Sequence, residues 1–328
     1  MNFEIGELHP NSPHLFADLA ELLLLVGYNG RKRLHANDLE SLLTTGVINP
    51  DEIDEEDTAE QADRSSAERN SRRDRQIEDV MAQLAYRSGA LPECYPFSVS
   101  GDALEICDTL TDKHRVYCLL LACSRLRSFG RKGIPQRWAK HFAELGRVAL
   151  QGLVPPYATA LIFDANSSDR ATYYGTDLRQ ALRKMGRDLG VLQINEEECD
   201  KAEHQGDAGF DLIATLNFDD GAATNYALLG QCGAQELGWP QKTLEAHALN
   251  CRSFFQIQFE YPSVMFTPVS YRTATGEWVN NKCANGILLV DRKRALYLIE
   301  AQQKFDTIVK MPWFADFEAE FAQVGPPV

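Results

Sequence analysis

The sequence has little of three things that mark common classes of protein: long apolar runs, paired cysteines and positive charge. Its longest apolar run, LLLLV at 22–26, is far shorter than the roughly 18 residues that cross a bilayer, so we expect no association with a membrane. The first residues, MNFEIGELHP, show no basic segment followed by an apolar one. We therefore expect no signal peptide and a cytoplasmic protein.

The eight cysteines form no C-x-x-C pair and show no zinc-ligand spacing with histidine. In a chain of 328 residues we expect reduced thiols rather than a disulfide framework. The net charge of −14 argues against a protein whose whole surface grips nucleic acid. It is compatible with a small basic cleft, or with a partner subunit that supplies the DNA contacts.

Composition and periodicity divide the chain into two predicted parts. Residues 1–130 carry helical apolar patterns, interrupted by a charged linker at about 51–76, and predict a mostly helical N-terminal region. Residues 131–328 alternate strand-like and helical segments, which is typical of an α/β (α+β) domain. For the acidic half of the linker, a docking role is an alternative to a plain solvated segment.

Positive charge is concentrated between residues 125 and 147, where seven lysines and arginines accompany one acid, Glu144. Such a cluster in an acidic chain favours contact with phosphate groups. The candidates for DNA contact are Arg131, Lys132, Arg137 and Lys140 in this stretch, and Arg292 and Arg294 nearer the C-terminus. The alternatives are an exposed basic helix face for the first group and a solvated helix start for the second.

Two strand-like segments joined by turn residues predict an antiparallel hairpin. Residues 209–218 alternate in polarity, YALLGQC at 226–232 reads as a second strand, and FDDGAAT between them has turn composition. A turn centred on Gly221 places Asp211 opposite Gln231, on the same face of the hairpin.

Asp211 and Gln231 in this arrangement offer two oxygen atoms to one divalent cation, and the backbone carbonyl of Cys232 offers a third. Mg²⁺ prefers such hard oxygen ligands, so these three residues are the candidate metal ligands. The alternative is a buried strand pair in which Asp211 makes only hydrogen bonds.

GDAGFD at 206–211 and LLGQC at 228–232 resemble the motifs of the PD-(D/E)xK nuclease superfamily, and within it the Mrr-like restriction endonuclease branch. The resemblance covers roughly residues 135–300. It aligns Asp211 with the metal-binding aspartate of that branch and Gln231 with its glutamate-or-glutamine position. A helix ahead of the hairpin often carries a further acid in the family, and Glu144 is the acid in the matching segment, HFAELGRVAL.

The resemblance implies a fold, a cofactor and a substrate. The fold is a restriction-endonuclease-like mixed sheet flanked by helices, which the mostly helical N-terminal region precedes. The cofactor is Mg²⁺, which Mn²⁺ can replace, and the substrate is DNA.

The chain departs from the family pattern at Gly233, where a lysine is expected two residues after Gln231. Glycine can neither activate water nor offset charge on a phosphate. Lys242 lies in the first turn of a predicted helix, GWPQKTLEAHAL, and some branches of the superfamily place the lysine on this following helix. We therefore predict that Lys242 is the functional lysine, with an exposed lysine of no special role as the alternative.

These observations favour a Mg²⁺-dependent DNA endonuclease whose catalytic set is Asp211, Gln231, Lys242 and Glu144. The resemblance implies a role in prokaryotic restriction or anti-phage defence, with a protein partner subunit or a homo-oligomer. One alternative is a catalytically inactive nuclease-fold subunit that acts as a DNA-binding or assembly scaffold in a defence complex, which Gly233 and the acidic charge favour. Another is an unrelated α/β interaction protein with a chance motif.

Overall fold

The computed structural model describes residues 2–6, 12–44, 66–130, 132–203, 206–243, 245, 247–258 and 260–327. Within them the protein is mixed α/β, which confirms the predicted class. The helices are α1 (Pro13–Leu25), α2 (Ala36–Thr44), α3 (Ser66–Ala90), α4 (Asp112–Ser124), α5 (Ile134–Gln151), α6 (Leu178–Leu189), α7 (Glu196–Lys201), α8 (Ala248–Phe254), α9 (Arg292–Ala301), α10 (Phe305–Ile308) and α11 (Pro312–Phe321). The strands are β1 (Arg33–His35), β2 (Phe97–Ser100), β3 (Ala103–Ile106), β4 (Thr159–Ile162), β5 (Gln193–Ile194), β6 (Leu212–Leu216), β7 (Tyr226–Cys232), β8 (Phe255–Gln256), β9 (Ser263–Phe266) and β10 (Leu288–Val290).

The chain divides into two compact units. Unit 1 comprises Met1–Ala139, Val269–Val279 and Phe305–Val328, and unit 2 comprises Lys140–Pro268 and Asn280–Lys304. This division differs from a single boundary near residue 130, because two segments from the C-terminal part of the chain belong to unit 1.

The predicted linker at 51–76 is helical over its basic half. Residues 51–65 lie outside the described residues, whereas α3 begins at Ser66 and continues beyond residue 76. In the part of the chain that the structure describes, no helix combines the length and the apolar character needed to cross a membrane. All eight cysteines are free thiols.

Unit 1 contains helices and a three-stranded antiparallel sheet with the order β1-β3-β2. Its interior holds a charged cluster that the sequence pattern did not predict. Arg87 of α3 lies 2.7 Å from both Asp18 Oδ1 and Glu21 Oε1 of α1, and all three side chains are fully buried. The Tyr95 and Tyr117 hydroxyls donate to the Glu21 carboxylate.

We expect Arg87→Met to destabilise unit 1 by about 3–5 kcal/mol, because it leaves two buried carboxylates without their cation. Urea unfolding followed by circular dichroism measures this loss. Arg31→Met is the matched control, since Arg31 pairs with Asp38 at the surface of the same unit, and its expected cost is below about 1 kcal/mol. Equal losses of unfolding free energy in the two variants would contradict the conclusion that the buried cluster contributes more to stability than a surface ion pair.

Unit 2 is built on a five-stranded mixed sheet with the order β10-β9-β7-β6-β4. β4, β6 and β7 are antiparallel neighbours, whereas β9 runs parallel to β7 and β10 runs parallel to β9. The register pairs Leu212 with Gly230 and Leu216 with Tyr226. Continued by one residue, this register sets Asp211 opposite Gln231, as the hairpin pattern predicted.

Helices cover both faces of this sheet. Gly146 of α5 lies so close to the strands that a Cβ there would be 3.0 Å from both Cys232 Sγ and Leu212 Cδ1. On the other face, Leu182 and Met185 of α6 belong to a buried apolar cluster that also contains Ile213. Since side chains alternate along a strand, β6 buries Leu212 toward one helix and Ile213 toward the other.

Candidate metal centre

The centre lies where β6 begins and β7 ends. Asp211 directly precedes β6, and one of its carboxylate oxygens accepts the Cys232 backbone N–H at 2.7 Å. Asp207 lies in the turn before it, where its carboxylate accepts the Gly209 N–H at 2.9 Å. Both carboxylates are therefore held by backbone groups at one end of the hairpin.

A third carboxylate joins these two from the neighbouring strand. Asp164 follows β4, which pairs with β6, and the Phe163 N–H donates to the Asp211 carbonyl at 2.6 Å. One carboxylate oxygen from each of Asp164, Asp207 and Asp211 lies within 4.8 Å of the other two. All three side chains are partly buried.

The electrostatics of Asp211 reflect this crowding. The pKa of Asp211 is raised to about 7, mainly by burial and to a smaller extent by the charges of Asp207 and Asp164. The Cys232 N–H and the charge of Lys242 act in the opposite direction. Three carboxylates near two cations, Lys242 and Arg170, leave an excess of negative charge, which a divalent cation would neutralise.

The donor set fits a hard divalent ion. Mg²⁺ and Mn²⁺ take carboxylate oxygens, and neighbouring or opposite ligands of an octahedral ion with bonds of about 2.1 Å lie about 3–4 Å apart. The spacing within the acidic cluster is close to this range. The three carboxylates therefore suit an ion of this kind.

The structure replaces Glu144 as the third acid. Glu144 of α5 pairs with Arg147 at 3.2 Å, and Arg147 also lies 3.8 Å from an Asp169 oxygen. Glu144 does not belong to the acidic cluster found among the described residues. The expectation that a helix acid accompanies Asp211 is therefore not met within this cluster. Asp164 and Asp207, both on loops, accompany Asp211 there.

Gln231, opposite Asp211 in the hairpin register, is a buried side chain with one oxygen that has no hydrogen-bond partner among the described residues. It is 5% exposed, and its Nε2 donates to Glu245 Oε2 at 3.1 Å. Its Oε1 has no hydrogen-bond partner within the described ranges. The Glu245 carbonyl in turn lies against Gly209, where a Cβ would be 3.1 Å from it. The Cys232 carbonyl stays a predicted ligand, since Cys232 contacts Asp211 through its N–H.

Lys242 ends a short 3-10 turn, Trp239–Lys242, rather than beginning an α-helix. Trp239 is fully buried and anchors this turn, with Pro240 as its next residue. Lys242 is close enough to Asp211 for its charge to lower the pKa of that carboxyl. The role of Lys242 as the functional lysine stays a prediction.

Gly233 leaves no space for a lysine at the family position. A Cβ at Gly233 would collide with Met265 Cε and would lie 2.5 Å from Trp239 Cβ. The same tryptophan anchors the turn that carries Lys242. Packing at Gly233 and the placement of Lys242 therefore depend on one another.

We expect Gly233→Ala to destabilise the protein by about 1–3 kcal/mol, because the added methyl group overpacks a filled site. Urea unfolding measures this loss. Gly89→Ala is the matched control, since a Cβ at that helical glycine meets nothing within 4 Å. An unchanged unfolding midpoint for Gly233→Ala would contradict the steric argument.

The candidates for DNA contact differ in accessibility. Lys132 and Lys140 are exposed, whereas Arg137 pairs with Glu320 at 2.6 Å. Arg294 is partly buried and donates to the Leu289 carbonyl at 2.7 Å. Arg131 lies outside the described residues.

The prediction that Arg292 contacts DNA is wrong. Its side chain is fully buried, and its Nε donates to the Pro268 carbonyl at 2.8 Å. A guanidinium that is used inside the protein cannot reach a phosphate on DNA.

Comparison of the chain with models of protein families, with curated proteins and with solved structures finds no match. The functional interpretation therefore rests on the geometry of the centre and on the sequence motifs.

Proposed function

We propose that the protein is a divalent-cation-dependent endonuclease that hydrolyses phosphodiester bonds in DNA. The observation that carries this proposal is the cluster of Asp164, Asp207 and Asp211 with the charge of Lys242 beside it. The mixed sheet flanked by helices agrees with the fold that the PD-(D/E)xK resemblance implies, which supports the proposal further. DNA as substrate and a role in restriction or anti-phage defence depend on the resemblance.

In this proposal the three aspartates hold Mg²⁺, or Mn²⁺ in its place. When bound, such an ion supplies Lewis-acid polarisation of a phosphate and a more acidic water molecule. The Cys232 N–H and the Gly209 N–H orient two of the carboxylates by donating to them. Lys242 stabilises the negative charge that develops on the phosphate during attack. Gln231 donates to Glu245 and keeps one oxygen without a hydrogen-bond partner among the described residues.

Cleavage of supercoiled plasmid DNA tests the proposal. We expect the purified protein to nick or linearise the plasmid in Mg²⁺ and in Mn²⁺, and EDTA to stop the reaction. A protein that binds Mn²⁺ yet cleaves neither duplex nor single-stranded DNA would instead support the inactive nuclease-fold subunit. Partner subunits would then be sought by co-purification from the native host.

A further inference from the structure

Arg170 is a fully buried arginine between β4 and α6. It begins a single turn of π-helix, Arg170–Tyr174, a feature that is frequent at functional sites. Its guanidinium stacks on the Phe163 ring, with 4.4 Å between the guanidinium carbon and the ring centroid. Burial of a charged guanidinium costs desolvation free energy, so its contacts must offset that cost.

This guanidinium donates to backbone carbonyls on three segments. Nη1 donates to the Phe163 carbonyl at 2.9 Å and to the Gly206 carbonyl at 3.2 Å. Nε donates to the Gly175 carbonyl at 2.9 Å. Its Nη2 is buried without a hydrogen-bond partner among the described residues.

Two of these carbonyls belong to the residues just before the clustered carboxylates. Phe163 precedes Asp164, and Gly206 precedes Asp207. One planar group therefore ties together two segments that are far apart in the chain and that each carry an acid of the metal centre. Burial lowers the pKa of Arg170, while the charges of Asp207 and Asp164 raise it, so both acids are close enough to act on it.

We propose that Arg170 is a positioning residue that holds Asp164 and Asp207 at the separation required to bind a divalent cation. This inference rests on the metal centre of the proposed function and not on cleavage. The guanidinium offsets part of the repulsion between Asp164 and Asp207, and its bonds to backbone carbonyls leave their carboxylates available to the ion. Hydrogen bonds that hold metal ligands in position without touching the ion typically change metal affinity about 10–100-fold.

Titration with Mn²⁺, followed by electron paramagnetic resonance at pH 8, tests the inference on the full chain. We expect Arg170→Gln to weaken Mn²⁺ affinity at least about 10-fold, because it removes the charge and most of the bridging bonds. Arg170→Lys should restore only part of the affinity, since an ammonium group keeps the charge but cannot span three carbonyl groups in the same geometry. If Arg170→Gln does not fold, Arg170→Lys alone decides the question.

Arg292→Gln is the matched control. Arg292 is an equally buried arginine of unit 2, but it follows β10, at the opposite edge of the sheet from β4. It should lose stability and keep the Mn²⁺ affinity of the wild type. Equal Mn²⁺ affinity in the wild type and the Arg170 variants would overturn the inference, and so would an equal weakening in Arg292→Gln.

The same titration separates this inference from the proposed function. A wild-type protein that binds Mn²⁺ but does not cleave DNA refutes the nuclease, and the affinities of the variants still decide the role of Arg170. A wild-type protein that binds no Mn²⁺ overturns both the metal centre and the positioning role.

Discussion

Asp211→Asn should lower the rate of plasmid cleavage by at least about 10³-fold and remove measurable Mn²⁺ binding. The reason is that Asp211 is the central acid of the cluster, with Asp164 on the neighbouring strand end and Asp207 in the preceding turn. Loss of one preorganised electrostatic group in an active site commonly costs 10²–10³-fold, roughly, and loss of a charged metal ligand should cost more. Gel-based cleavage and Mn²⁺ titration measure the two effects separately.

The same substitution should make the metal-free protein more stable at alkaline pH. The pKa of Asp211 is about 7 in the folded protein and about 3.9 in an unfolded chain. Between these values the folded state binds a proton that the unfolded state has lost, so stability falls as pH rises from about 4 to about 7. Asparagine removes that loss and can still accept the Cys232 N–H.

Thermal unfolding at pH 5 and pH 8 in EDTA measures this effect. The melting temperature of Asp211→Asn should exceed that of the wild type, and the difference should be larger at pH 8 than at pH 5. Each kcal/mol gained by removing the buried charge should raise it by about 2–4 °C. Asp220→Asn is the matched control, because Asp220 is exposed in the hairpin turn and accepts the Ala222 N–H. It should cleave like the wild type. A melting temperature of Asp211→Asn below that of the wild type at pH 8 would contradict the conclusion that burial and the neighbouring carboxylates disfavour the ionised Asp211.

Lys242→Ala should lower the rate of cleavage by about 10²–10³-fold while Mn²⁺ binding persists. Lys242 is the cation whose charge acts on Asp211, and alanine leaves the three carboxylates in place. Loss of Lys242 also raises the pKa of Asp211, so the comparison is made at pH 8.5, where the carboxyl is ionised. Single-turnover cleavage at saturating Mn²⁺ isolates the chemical step from metal binding.

Two further variants, Lys242→Arg and Lys201→Ala, are the controls for this experiment. Arginine keeps the charge and should restore part of the rate. Lys201 pairs with Glu197 and Glu198 at the surface of α7, and its removal should leave the rate unchanged. Full activity in Lys242→Ala would show that the phosphate charge is stabilised by another group.

The hairpin and its register follow from the sequence because they are local. Alternating polarity, a turn rich in glycine and aspartate, and two strands of similar length suffice to set Asp211 opposite Gln231. The position of Lys242 follows in the same way, since Pro240 and Trp239 mark a turn just after the second strand. The type of that turn, 3-10 rather than α, depends on tertiary packing of Trp239.

The sequence alone did not show which acids join Asp211 in the cluster. Asp164 reaches the cluster through the pairing of β4 with β6, which is a long-range contact that local patterns do not reveal. Asp207 bonds to a turn amide, as many aspartates in glycine-rich turns do, and nothing in its spacing shows that it also faces a cluster. Its signal was GDAGFD itself, and the signal of Asp164 was its position two residues beyond the end of β4.

Burial of charged side chains was the other source of error. RKR at 292–294 has the composition of a basic patch, yet Arg292 is fully buried. Arg87 and Arg170 were likewise not predicted as interior residues. Their burial depends on partners that are distant in the chain, such as Glu21 for Arg87 and Gly206 for Arg170.

Anomalous diffraction from crystals grown with Mn²⁺ tests the central claim most directly. We expect a peak bounded by the carboxylates of Asp164, Asp207 and Asp211, at about 2.1–2.2 Å from an oxygen of each. No peak at that position under saturating Mn²⁺, or a peak held by other residues, would contradict the metal centre on which the proposed function is based.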